Sequence, residues 1–214
     1  MKKRIMLVGA AGFTGKALRD VLVPSYALSL FDIKPIPDTP DTIQADLGDF
    51  DAVRQAMEGV DGVVNAMMAP NETYNRPEIP FRSNVLGCAN LLEAAREFGV
   101  KRFVHLSTTA IFEGAAKIER LLVDTEPVAS GYYAVTKLLQ EALCKNYAKA
   151  HGMTIPCLRI AGGIVCGRTR AHKDGTPLTK GAYNMGWICR YDIAQACRLA
   201  LASPLGRGGL EGFE

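Results

Sequence analysis

Apolar and polar positions along the chain change period at regular intervals. The run "RIMLVG" (4–9) is almost continuously apolar, with charge before it and glycine at its end, as a strand buried on both faces reads. "GFTGKALRDVLV" (12–23) then places apolar residues at helical spacing. "ALSLFD" (27–32) and "TIQADL" (42–47) read as strands, "FDAVRQAME" (50–58) as a helix and "DGVVNAM" (61–67) as a strand. "FRSNVLGCANLLEAAREFG" (81–99) predicts a long amphipathic helix closed by Gly99, where a glycine relieves the left-handed turn at a helix end. "KRFVHLS" (101–107) is a strand, and "YYAVTKLLQEALCKNYAKAHG" (132–152) is a second long helix closed by Gly152. "TIPCLRI" (154–160) is a strand, and "YDIAQACRLALAS" (191–203) is the last helix. Strands alternating with helices predict an α/β fold: a doubly wound parallel sheet with right-handed crossovers and helices on both faces. Two stretches have no period and read as long loops, "PNETYNRPEIP" (70–80) and "CGRTRAHKDGTPLTKGAYNMG" (166–186).

Composition narrows the picture. A chain of 214 residues suits one domain, 1–214, with a sizeable core. A net charge of +3, with no lysine- or arginine-rich tract, gives no reason to expect a nucleic-acid partner. The opening "MKKRIMLVGAAG" is basic then apolar, but the run is short and breaks into glycines, so it reads as a buried strand rather than a leader. No segment is long and apolar enough to span a bilayer. The six cysteines form no C-x-x-C pair and fall in apolar segments. They read as reduced core residues of a cytoplasmic protein, with no metal site.

Chemistry first appears in "VGAAGFTG". Gly9 ends a strand where a side chain would block the turn, Gly12 lets backbone approach a pyrophosphate, and Gly15 lets the helix pack against the sheet. The spacing is G-x-x-G-x-x-G rather than G-x-G-x-x-G. Asp32 ends the second strand, where a carboxylate accepts the ribose hydroxyls of a dinucleotide and repels a 2′-phosphate. NAD is therefore expected ahead of NADP, a preference that Lys34 weakens slightly.

A second candidate is "SGYYAVTK" (130–137). A tyrosine moving protons near neutral pH must fall from a pKa of about 10, and lowering it by about two to three units takes roughly 3–4 kcal/mol. One ammonium about 4 Å away supplies that at an effective dielectric near 20. Residues four apart share a helix face, which pairs Tyr133 with Lys137, whereas Tyr132 has Thr136 at that spacing. Tyr133 is thus the expected acid/base. His105, between Val104 and Leu106 in mid-strand, reads as a packed core histidine, and no G-x-S-x-G elbow supports a serine hydrolase.

The order of these motifs resembles the extended short-chain dehydrogenases/reductases, the NAD-dependent epimerase/dehydratase family, over nearly the whole chain from Arg4 to about Ser203. "GAAGFTG" resembles its cofactor loop, and "ADLGD" the element whose aspartate, Asp46, contacts adenine. "DGVVNAMMA" resembles a strand that usually ends in a histidine, here Asn65. "NVLGCANLLEAAREFGVKRFVHLSTTAIF" carries Asn84 and Gly87 at the family positions. "CLRIAGGIVCGR" resembles its Leu-Arg strand, with Arg168 in place of a proline.

The resemblance implies a Rossmann-type fold. It implies cofactor contacts from Gly9, Ala11, Gly12, Phe13, Thr14, Gly15, Asp32, Asp46, Leu47, Asn65 and Ala66, with Lys137 on the nicotinamide ribose. It also implies Thr108 as the hydroxyl beside Tyr133, since Phe112 follows four residues later, with Ser107 as the alternative. Asn84 would support the site, and Ser107, Thr109 and Arg168 are substrate candidates. Arg168, Arg170, His172 and Lys173 fit either an anionic substrate or a solvated loop. The substrate lobe is expected as a remnant at about 167–187, either reduced or truncated. The resemblance implies an NAD-dependent enzyme that transfers a hydride between the nicotinamide and a carbinol or carbonyl carbon of a small sugar-like or carbonyl substrate, in net oxidation/reduction, epimerisation or dehydration, with a non-catalytic dinucleotide sensor as the alternative. A homodimer through the two long helices is expected.

Overall fold

Six parallel strands carry the fold. The computed structural model describes residues 1–37, 39, 42–114, 121–161, 163–165 and 187–204. In chain order the first elements are β1 (Arg4–Val8), α1 (Phe13–Leu22), β2 (Ala27–Asp32), β3 (Thr42–Gln44), α2 (Phe50–Ala56) and β4 (Gly62–Asn65). A short turn α3 (Glu78–Pro80) runs through a π-helical stretch (Phe81–Leu86) into α4 (Gly87–Glu97). Then come β5 (Arg102–Thr108), α5 (Gly131–His151), β6 (Cys157–Ile160), β7 (Gly163–Val165), β8 (Trp187–Cys189) and α6 (Arg190–Ala202). The main sheet has the order β3-β2-β1-β4-β5-β6, with every neighbouring pair parallel. The direction of winding therefore reverses between β1 and β4, and such a reversal opens a crevice at the carboxyl ends of the strands.

Alternation within β1 shows how the sequence builds two layers. Met6 and Val8 enter a core with Val53 of α2, Leu91 of α4 and Cys144 of α5. Ile5 and Leu7 enter the opposite core with Leu18 of α1 and Ile193 of α6. A strand buried on both faces must be apolar throughout, which is why "RIMLV" shows no alternation of polarity. Among the described residues, no helix is long and apolar enough to cross a membrane.

Four expectations need adjustment. "TIQADL" is a strand only over Thr42–Gln44, and Asp46 turns the chain by accepting the Gly48 N–H at 2.8 Å. The loop 70–80 holds a 3-10 turn (Asn71–Thr73) and α3. The long helix expected over 81–99 begins in wide π turns before tightening at Gly87. A Cβ there would lie 2.7 Å from Leu47 Cβ, so the helix meets the loop after β3 at a point where only glycine fits. Finally, β7 and β8 form a separate parallel pair, each too short to show a period. The expected lobe remnant at about 167–187 lies outside the described residues up to Trp187.

Gly15 gives a test of the close packing at the first turn. Alanine in place of a helical glycine ordinarily stabilises by about 1 kcal/mol. Here its Cβ would stand 2.2 Å from the Gly9 carbonyl oxygen. Gly15→Ala is therefore expected to destabilise by about 1–3 kcal/mol in urea unfolding. A stabilised variant would sink this account of the turn.

Candidate active site

The glycine turn fits a dinucleotide. Gly9 adopts φ 80°, and its N–H reaches the Phe31 carbonyl, which folds the chain back over β2. A Cβ on Gly12 would meet only the Gly9 carbonyl oxygen, at 3.2 Å, so its outer side is open. Gly12 caps α1 without a side-chain hydrogen bond, and the first turn of α1 holds no acidic residue. The N–H groups of Phe13, Thr14 and Gly15 thus begin a helix whose positive end favours a diphosphate. Asp32 braces this turn: its Oδ2 accepts the Ala11 N–H at 2.9 Å, and its Oδ1 accepts the Lys34 N–H at 2.9 Å. A carboxylate with two backbone donors still has acceptor capacity for ribose hydroxyls. These residues would hold NAD, whose nicotinamide accepts a hydride when bound.

Tyr133 stands across the crevice. It lines a cavity of about 170 Å³ together with Thr14, Ala66, Thr108, Glu113 and Lys137. Burial, the largest influence, raises its pKa above that of an ordinary phenol; a hydrogen bond with Thr108 lowers it, and the Glu113 carboxylate raises it. Lys137 lines the same cavity as Tyr133. The Lys137 Nζ is held under the strand ends, donating to the Leu106 carbonyl at 3.0 Å and the Met67 carbonyl at 3.3 Å. Burial pulls the pKa of this ammonium down from 10.5 to about 8. Tyr132 faces away and meets Phe81 edge-on, with ring centroids 6.3 Å apart.

Behind the phenol lies a polar network. Asn84 is fully buried; its Oδ1 accepts the Ala69 N–H at 2.8 Å. Its Nδ2 donates to Thr136 Oγ1 at 2.9 Å and to the Tyr74 hydroxyl at 3.1 Å. The Tyr74 ring packs edge-on against Tyr133, 5.2 Å away, so Asn84 supports the phenol through Tyr74 rather than lining the cavity. Burial pushes the Tyr74 pKa up to about 12, which keeps its hydroxyl neutral. Sequence reasoning missed Tyr74, because it sits in the aperiodic stretch 70–80 and only its aromatic character marked it.

The remaining candidates separate. Ser107 also lines the cavity, with its hydroxyl donating to Glu141 Oε1 at 2.5 Å, and Arg159 pairs with both oxygens of that carboxylate. Thr109 donates to the Ile160 carbonyl. Asp46 pairs with Arg82 at 3.2 Å. Leu47 is buried and accepts an Asn90 hydrogen bond on its carbonyl. Asn65 is fully enclosed between the Met67 N–H and the His105 ring. Arg168, Arg170, His172 and Lys173 lie outside the described residues.

His105 is fully buried, as expected of a core residue, and burial depresses its pKa well below the ordinary value. The fold also brings its ring within 4.8 Å of the Cys88 and Cys144 thiols, a metal-capable cluster that sequence spacing could not show. Hydrogen bonds to Cys157 and Cys88, together with burial, raise the Cys144 pKa well above normal and keep that thiol neutral.

A model of the NAD dependent epimerase/dehydratase family matches residues 5–207. The chain is 28% identical to the L-arabinose 1-dehydrogenase (NAD(P)(+)) of Haloferax volcanii, covering 94% of this chain and 84% of that one. It is 31% identical to the uronate dehydrogenase of Pseudomonas syringae pv. tomato over 75% of this chain, and spans 60% of that enzyme's length. The uronate dehydrogenase structure from Agrobacterium tumefaciens superposes with a TM-score of 0.75 at 27% identity, covering 95% of this chain and 73% of that one.

Lys137 carries a pH-dependent cost. Its pKa is depressed in the folded state, so between about pH 8 and 10.5 the unfolded chain binds more protons, and stability rises with pH. Below that window the full penalty applies. Relative to Lys137→Met, the wild type is expected to gain up to about 3 kcal/mol across the window in denaturant unfolding. Parallel pH curves for the two proteins would contradict the burial cost.

Proposed function

The chain belongs to the NAD dependent epimerase/dehydratase family, as an NAD-dependent enzyme of the short-chain dehydrogenase/reductase type, and we propose that it oxidises a hydroxyl-bearing carbon of a small sugar. One observation carries the reading: the half-buried phenol of Tyr133 and the Thr108 side chain line the same cavity as Thr14 of the glycine turn. A substrate hydroxyl placed between Tyr133 and Thr108 would have a proton acceptor on one side and a donor on the other. Tyr133, as phenolate, would take the hydroxyl proton, and a bound nicotinamide would supply the hydride acceptor. Thr108 holds the oxygen as it becomes a carbonyl, and its own orientation is fixed because its Oγ1 accepts the Ala110 N–H at 3.1 Å. Lys137 supplies a buried positive charge beneath the site and would hold the nicotinamide ribose. Relatives named for L-arabinose and for uronate support an unlinked sugar as substrate.

We also propose a cytoplasmic homodimer. The unbonded cysteines among the described residues support the compartment. Leu86 and Leu139 are large apolar side chains left exposed on the helices expected to pair. Leu139→Glu is expected to convert a dimer into a monomer in light scattering; a monomeric wild type would remove this interface.

Tyr133→Phe is expected to lower turnover by about a hundredfold or more while NAD binding persists. Activity near wild type would defeat the assignment. The pH dependence has a definite sign. Because the free enzyme's phenol lies above the ordinary range, kcat/KM for oxidation should climb by about tenfold per pH unit below that pKa, while reduction, which needs the phenol protonated, stays flat.

A further inference from the structure

Glu113 lines the cavity that holds Tyr133 and Thr108. It follows the 3-10 turn Thr109–Phe112, and its N–H bonds the Ala110 carbonyl at 3.1 Å. On one side Phe112 is buried and covered by Arg159, whose guanidinium stands 5.3 Å from the ring centre. On the other, the Gly114 N–H bonds the Val128 carbonyl at 2.8 Å, in a contact so close that a Cβ on Gly114 would lie 2.6 Å from that oxygen. The backbone on both sides of Glu113 is thus pinned, while its side chain is exposed and lines the cavity with Tyr133 and Thr108.

Among the described residues, the carboxylate has no cation of its own. Among the described residues, no hydrogen bond or ion pair engages it. The nearby Arg159 is committed to Glu141, at 2.9 Å. Lys137, the other charged group among the described residues that line the cavity, is buried with its ammonium on two backbone carbonyls. An ionised carboxylate only accepts hydrogen bonds, and its two oxygens match a pair of neighbouring hydroxyl groups. The same charge repels a second carboxylate or a phosphate brought into the cavity.

We infer that Glu113 selects the substrate, binding the hydroxyl groups of a neutral sugar at the mouth of the cavity and excluding sugars that carry an anion there. This rests on the sugar-oxidising reading above, narrows its substrate class, and departs from the anionic substrate that the cations of 166–186 suggested. Selection of this kind works through unpaired charge: the right ligand satisfies the carboxylate, and the wrong one places like charges together.

L-arabinose and D-galacturonate test it, since the second carries the ring of the first with an added carboxylate. The wild type with NAD is expected to prefer L-arabinose. Glu113→Gln keeps the shape and removes the charge, and should shift the ratio of kcat/KM values towards D-galacturonate by about a hundredfold, chiefly through KM. It should also move the rise of kcat/KM with pH to lower pH, a change that a merely structural role would not produce. An unchanged ratio in both Glu113→Gln and Glu113→Ala, or a wild type preferring the uronate, overturns the inference. If neither sugar is oxidised, the hydride-transfer reading falls by itself. Selection is then read from the thermal upshift each sugar gives with NADH present: reversal of the preference in Glu113→Gln sustains the inference, and equal upshifts for both proteins reject it.

Discussion

The inward face of α5 is polar, and the site depends on that constraint. Thr136, Lys137, Gln140 and Glu141 are all buried where a helix packing on a sheet would normally be apolar. Each such group must find a partner or destabilise the fold. Thr136 meets Asn84, Lys137 meets the carbonyls of Met67 and Leu106, Gln140 meets the Asn84 carbonyl, and Glu141 meets Ser107 and Arg159. These bonds tie α5 to the helix that begins at Phe81 and to the ends of β4, β5 and β6. Tyr133, one turn earlier on the same helix, is positioned as a consequence.

The crevice between β1 and β4 then decides what lies opposite the phenol. The glycine turn follows β1, and Ala66 follows β4, so a ligand over the switch point is held by backbone that cannot move. Gly9 makes this plain: a Cβ there would lie 3.0 Å from the Ala66 carbonyl. Backbone contact between the two turns, rather than side-chain packing, sets the width of the crevice. Asp32 adds rigidity from the next strand by accepting the Ala11 N–H. The arrangement is preorganised, so the orientation of a bound dinucleotide needs little rearrangement of the chain.

Two opposing influences meet at Tyr133. Burial and the Glu113 carboxylate both favour the neutral phenol, whereas Thr108 favours the phenolate. Lys137 was expected to dominate this balance from its spacing alone. Spacing places two residues on one helix face, but it does not say where a long flexible side chain ends. The Lys137 ammonium finds carbonyls at the sheet ends, and its own pKa falls to about 8 as a result of burial.

The sequence by itself determined the strands, the helices and their alternation, because burial on one or two faces writes a period into the chain. It also marked the glycine turn, Asp32, and the spacing of Tyr133 and Lys137 as candidates, since these depend on residues close together in sequence. The tertiary structure alone shows what the neighbouring hydroxyls of β5 meet. Ser107 and Thr108 both line the cavity, but the Ser107 hydroxyl is bonded to Glu141. It alone brought Tyr74 behind the phenol, Cys88 and Cys144 to His105, and Glu113 to the cavity wall. Those contacts join segments far apart in the chain, and their geometry follows from how α5 docks on the sheet, which no local pattern records.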